Sequence, residues 1–198
     1  MWVKQENPSE TPPTGDRILT LKVSLLGAKP QIWRRVDCPS SFTLGDLHDV
    51  IQICMGWEQM HLHAFRIGDR SYGVPAIDLE TDEEDEETVT LSSLGLDKEG
   101  ARFYYEYDFG DSWEHEIAVE ASKRRLRTRF YPKCLKAVHA CPPEDCGGLF
   151  GYANLLKVLR KPGHAEYEEM LEWIGGEFDP RHVDLAEIND ELEAEFAT

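Results

Sequence analysis

The residue types capable of chemistry gather in two short segments, Tyr104-Tyr-Glu-Tyr-Asp-Phe-Gly-Asp-Ser-Trp-Glu-His115 and Cys141-Pro-Pro-Glu-Asp-Cys-Gly-Gly148, with His61 and His63 upstream of both. Asp108, Asp111, Glu114 and His115 are groups that move protons or hold a divalent ion through oxygen. Strand spacing puts His61 and His63 on one face, roughly 7 Å apart, which suits two ligands of one metal ion. Two imidazoles are half a zinc site. The donors that would complete it are Asp108, Asp111 and His115, or Cys141 and Cys146. The chain therefore offers a surface site of Asp108, Asp111, Trp113, His115, Glu144 and Asp145, and zinc at His61, His63, Cys141 and Cys146 is the one cofactor it suggests.

Structural roles compete for the same residues. Phe65 and Ile67 continue the face of the two histidines, so the imidazoles can equally hydrogen-bond at the edge of a core. Aspartates in a hairpin turn bond their own backbone, and Trp113 with Tyr105 is a plausible cross-strand packing pair. Four residues separate Cys141 from Cys146, looser than a zinc knuckle, and no second pair follows at matching spacing. Glu144 and Asp145 between them disfavour a thiolate. Pro142-Pro143 stiffens that loop, Glu144 or Asp145 is placed to cap a following helical turn, and Gly147-Gly148 permits close approach to a neighbour. Asp108-Phe-Gly110 matches the magnesium tripeptide of protein kinases, but the chain lacks a glycine-rich phosphate loop and a His-Arg-Asp loop. No catalytic apparatus is complete.

The elements that must position these groups follow from periodicity. Phe103, Tyr105 and Tyr107 alternate with polar neighbours, as do Trp113, His115, Ile117 and Val119, predicting a central β-hairpin that turns at Asp108 to Asp111 with Gly110 at positive φ. Upstream, Leu19 to Leu25 and Gln31 to Val36 predict an antiparallel pair in which Arg34 and Arg35 point to opposite faces, one of them meeting an internal carboxylate. Thr43 with Asp46 predicts a helix start, and Gly56 its left-handed end, completing a ββα opening. His61 to Ile67 and Tyr72 to Val74 read as strands, and Trp57 and Trp173 as core or rim. Three amphipathic helices close the chain, around Tyr152 to Leu159, Tyr167 to Ile174 and Leu185 to Phe196, the last with Asp184 and Glu187 as a capping pair. Strands first and helices last predict an α+β fold: an antiparallel sheet with C-terminal helices packed on it.

The 198 residues suit one domain, 17–198, after a disordered tail at 1–16 that is polar and holds three prolines. The run Glu80-Thr-Asp-Glu-Glu-Asp-Glu-Glu87 repels itself and predicts a solvated acidic loop at 80–88 without a chemical role. With 38 acidic and 21 basic residues the net charge is −17, which repels phosphates and makes nucleic acid an unfavoured partner. The exception is the basic segment 123–136, set against the acidic excess of the rest of the chain. Five cysteines, an odd number, and no leading signal segment point to the cytoplasm; no run reaches 18 apolar residues, so no membrane span is expected.

The combination Ile32-Trp-Arg-Arg35, Leu47-His-Asp-Val-Ile51, Gly56-Trp57, His61-Leu-His63, Tyr107-Asp-Phe-Gly-Asp-Ser-Trp113, Cys141-Pro-Pro-Glu-Asp145 and Gly147-Gly148 with Gly151-Tyr152 resembles the plasmid pRiA ORF-three-like family, whose members are also labelled transposon-passenger or TnpR-like. The resemblance spans about Leu19 to Asn189 and implies an α+β domain, with an accessory role on mobile elements. A resolvase activity is not supported, because the N-terminal region has no serine-recombinase arrangement. The leading functional expectation is a binding or interaction module for a protein or small-molecule partner. The alternatives are a metal-dependent hydrolase built on the His/Asp cluster and a nucleic-acid binder acting through 123–136.

Overall fold

The computed structural model describes residues 17–75, 83–126 and 128–197; the expected tail at 1–16 and the first part of the acidic run lie outside these. Eight strands and four helices follow in the order β1 (Arg17–Leu25), β2 (Trp33–Pro39), α1 (Leu44–Met55), β3 (His63–Ile67), β4 (Arg70–Gly73), β5 (Glu84–Asp85), β6 (Arg102–Tyr107), β7 (Trp113–Arg124), β8 (Lys133–Val138), α2 (Gly148–Leu159), α3 (Tyr167–Trp173) and α4 (Leu185–Phe196). All eight strands form one sheet in the order β5-β4-β3-β6-β7-β1-β2-β8. Every pairing is antiparallel except β4 with β5. The fold is α+β, as the order of elements predicts.

Period-two alternation sorts the two faces of the central strands. Phe103, Tyr105, Tyr107, Trp113, His115, Ile117 and Val119 point into the core. The opposite face carries cross-strand ion pairs, Arg66 with Glu106 and Glu114, and Arg35 with Glu120. The ββα opening is as expected. Thr43 Oγ1 accepts from the Asp46 N–H at 3.0 Å, Asp46 Oδ2 accepts from the Thr43 N–H at 2.8 Å, and Gly56 ends α1 at φ 82°.

Two expectations need correction and two gain detail. Gly110 is not the left-handed residue of the hairpin; Asp108 (φ 55°) and Ser112 (φ 53°) are. Asp108 tolerates that conformation because its own Oδ1 accepts from the Gly110 N–H at 2.9 Å, closing a local turn. The acidic run is not wholly solvated, since Glu84–Asp85 form β5 and Glu86 is buried. The basic segment ends in a strand, β8, which pairs with β2. Finally, as expected, Arg34 and Arg35 point apart and one of them meets a carboxylate: the half-exposed Arg35 pairs with Glu120, while the buried Arg34 meets backbone carbonyls. No helix among the described residues is long and apolar enough to cross a membrane.

Candidate functional site

Three chain segments converge at the β6–β7 turn. The first is the connection after α1. Gln59 takes φ 56° with its N–H bonded to Gln52 Oε1, the Met60 N–H donates to the Tyr107 hydroxyl at 3.1 Å, and the Leu62 carbonyl accepts from the Asp108 N–H at 2.9 Å. These bonds fix His61 against Asp108. The second is the turn itself, and the third is the loop 141–147. The Pro142 carbonyl accepts from Trp57 Nε1 at 3.0 Å, and Glu144 Oε1 accepts from both the Tyr107 hydroxyl (2.9 Å) and the Glu58 N–H (3.0 Å). Asp111 Oδ2 accepts from the Gly147 N–H at 3.0 Å. Glycine is required where these segments touch: a Cβ on Gly148 would lie 2.7 Å from the Asp111 carbonyl oxygen. The hairpin turn and the Cys141–Gly148 loop therefore meet, and Asp111, not Glu144 or Asp145, fixes the start of α2.

The convergence places His61 Nε2 3.2 Å from Asp145 Oδ1, 3.8 Å from Asp108 Oδ2 and 3.8 Å from Glu144 Oε2. His61, Asp108 and Asp145 each offer a ligand atom, all three within 4.8 Å of one another. Both His61 Nε2 and Glu144 Oε2 are shielded from solvent and make no aligned hydrogen bond. The Asp108 side chain is only 9% exposed, whereas that of Asp145 is 66% exposed, so the site opens on one side. Burial first, and the Glu144 carboxylate second, hold the Tyr107 phenol well above its ordinary range, so it stays the donor of its bond to Glu144.

His63 is not part of this group. Its Nε2 lies 2.9 and 3.0 Å from the two carboxylate oxygens of buried Glu86, and its ring stacks on His48 with centroids 3.5 Å apart. The shared-metal geometry expected of His61 and His63 is thus replaced by two separate environments, because β3 begins at His63 and leaves His61 in the preceding connection. His48 Nδ1 and Gln52 Nε2 both reach the Tyr105 hydroxyl, at 2.8 and 3.0 Å. Burial, then the neighbouring His63, lowers the His48 pKa to about 3.

Trp113 and His115, expected at the surface, are fully buried beneath the site. Desolvation lowers the His115 pKa to about 4; its nitrogens make no aligned bonds, although the backbone at Tyr105 and Trp113 lies close enough to favour the proton slightly. Cys141 is buried and Cys146 half-buried, and burial pushes both thiols up to about 12. Neither belongs to the three-donor group. Two polar contacts escape sequence reading, one in the site and one outside it. Tyr107 looks like any inward aromatic until Glu144 is seen against it, and Glu86 is indistinguishable from its acidic neighbours.

The sequence profile of the plasmid pRiA4b ORF-3-like proteins matches residues 17–187, from β1 into α4. The chain belongs to that family. A relative, the uncharacterized protein y4hQ of Sinorhizobium fredii (strain NBRC 101917 / NGR234), is 37% identical over 184 residues, covering 91% of this chain and 94% of y4hQ. The crystal structure of MM3350, a protein of unknown function from Methanosarcina mazei Go1, matches with a TM-score of 0.79 and 35% identity over 87% of this chain and 96% of that one. Of the motifs by which the sequence resembles the family, Gly56-Trp57, His61, Tyr107-Asp108, Glu144-Asp145 and Gly147-Gly148 are the residues that build the convergence.

Proposed function

We propose that this member of the family is a binding module whose ligand site is centred on a divalent cation held by His61, Asp108 and Asp145, with Glu144 at its edge. The supporting observation is the convergence of three carboxylates on an imidazole nitrogen that is shielded from water and makes no aligned hydrogen bond. Ligands about 2.1 Å from an ion sit roughly 3.0 Å apart in octahedral and 3.4 Å apart in tetrahedral geometry. The 3.2 to 3.8 Å separations at His61 Nε2 are close to that spacing. One imidazole with carboxylates suits zinc or manganese. Met60 and Leu62 on either side of His61, Phe109 beside Asp108 and Phe150 at the start of α2 are all exposed, Phe150 by 88%, and supply apolar contact for a partner.

Elemental analysis of untagged protein from metal-supplemented growth tests the reading. About one equivalent of zinc or manganese per chain is expected, lost in His61→Ala and Asp108→Asn and retained in Cys146→Ser. Below about 0.1 equivalent, the cation site is wrong, since a structural site of ordinary affinity stays filled on purification.

A hydrolytic role is the second reading, and it draws on Glu144 Oε2, a desolvated and unbonded carboxylate oxygen beside the three donors. Glu144 is the group placed to take a proton from a water at the cation. Metal-loaded protein that cleaves bis(p-nitrophenyl) phosphate, with the rate abolished in Glu144→Gln, would establish it; no turnover leaves the binding role alone.

A further inference from the structure

A cleft of about 400 Å³ opens between α2 and α3, with Asp145 at its edge. The helix α3 has no fully buried residue; on its cleft-facing stripe Met170 packs against the edge of the core, while Glu166, Glu169 and Trp173 stay exposed. That stripe is Glu166, Glu169, Met170 and Trp173, at spacings of three, four and seven, which bring side chains onto one face of a helix. Leu155 of α2 completes the apolar part of the wall. Trp173 is 49% exposed, an unusual amount of indole to leave in water. Neither Glu166 nor Glu169 makes an ion pair among the described residues, and no lysine or arginine lines the cleft.

We propose that this cleft is a binding site for an alkylammonium group, with the methylene stem on Leu155, Met170 and Trp173 and the charged head between Glu166, Glu169 and Asp145. The wall matches the two halves of such a ligand. Methylenes gain by leaving water for an apolar wall, an ammonium is attracted to an indole face, and unpaired carboxylates favour the same charge. A neutral apolar ligand would leave the carboxylates unanswered, and an anion would be repelled. The site stands without the cation at His61, sharing only Asp145 with it.

Two compounds distinguish the sources of such a group. Spermidine represents a free polyamine, and Nα-acetyl-lysinamide represents a lysine side chain on a peptide. Binding is followed by tryptophan fluorescence and calorimetry in metal-free buffer at 150 mM salt, which screens the diffuse field of a chain with net charge −17. At least one of the two is expected to bind, at least tenfold more weakly to Glu166→Gln/Glu169→Gln and with the fluorescence change lost in Trp173→Phe. Because binding is followed without metal, this result and the outcome of the cation test are independent. The control Asp69→Asn/Asp190→Asn removes the same charge from exposed positions elsewhere. Binding of spermidine alone assigns the cleft to free polyamines, and binding of the lysine compound assigns it to peptide lysines. If neither binds, or if the control weakens binding as much as the cleft variant, the proposal is overturned.

Discussion

Arg34 carries a positive charge to a position only 1% exposed where its partners are carbonyls: Cys54 at 2.6 Å, His139 at 3.0 Å, Trp33 at 3.1 Å and Val138 at 3.2 Å. Cys54 lies in the last turn of α1, where unpaired carbonyls form the negative end of the helix dipole, so the guanidinium answers a fixed partial charge. Strand periodicity tells that Arg34 and Arg35 part company, and they do; it cannot tell which groups wait on each side, because those come from α1 and the end of β8 for Arg34 and from β7 for Arg35. Replacing Arg34 by Met should destabilise the fold by about 3 kcal/mol, read from urea unfolding, since several carbonyls lose their donor at once. Arg34→Lys should rescue only part of this, because an ammonium is not a planar fork. Gly151 presents the opposite constraint. A Cβ there would sit 1.8 Å from the Cys146 carbonyl oxygen, so Gly151→Ala should displace the loop that carries Asp145 and lower cation occupancy as well as stability. Retention of full occupancy in Gly151→Ala would show that Asp145 is not a ligand.

Among the elements, α1 was fully legible because its signals are local: Thr43 and Asp46 cap each other, and Gly56 terminates it. The strand β8 was not. Along Lys133–Val138 only Cys134 is buried, which leaves no period-two pattern to find. The strand exists through its pairing with β2 and its cover by α4. As the edge of the sheet it presents open backbone groups, and Asn189 of α4 closes one residue of that edge: its Oδ1 accepts from the Cys134 N–H at 2.9 Å and its Nδ2 donates to the Cys134 carbonyl at 3.0 Å. Asn189→Ala should cost about 1 to 2 kcal/mol and raise self-association at high protein concentration, measured by urea midpoint and sedimentation. The helix α3 was misjudged in part. Its apolar residues predict a core-facing helix, and Met170 and Ile174 do pack against the core, but no residue of the helix is fully buried and Trp173 lines a cleft.

At the scale of the whole molecule, the candidate site was half legible. The hairpin and the Cys141–Gly148 loop were marked by composition, since polar groups so dense need fixed partners, and the structure joins them. The fate of the two histidines was hidden, because two residues of spacing put them on one face only if the strand starts before both; it starts at His63, whose partner Glu86 arrives from a distant segment. Burial of two other histidines shapes the response of the fold to acid. His48 and His115 have folded pKa values of about 3 and about 4, below the ordinary 6.5. Between pH 6.5 and about 4 the unfolded chain binds a proton at each and the folded chain does not, so stability is complete above 6.5 and falls as pH drops, by up to about 1.4 kcal/mol per pH unit per histidine. Asp49 acts with the opposite sign. Burial, then Glu195, raises its pKa to about 6, so the folded state takes up a proton before the unfolded one and part of the slope is cancelled. Two histidines against one half-buried carboxyl leave a net loss on acidification. Urea midpoints measured from pH 7 to pH 4 should fall, and His115→Phe, which keeps the ring volume without the titration, should flatten the slope by about one proton's worth. An unchanged slope in that variant would mean that His115 finds a way to protonate in the folded core.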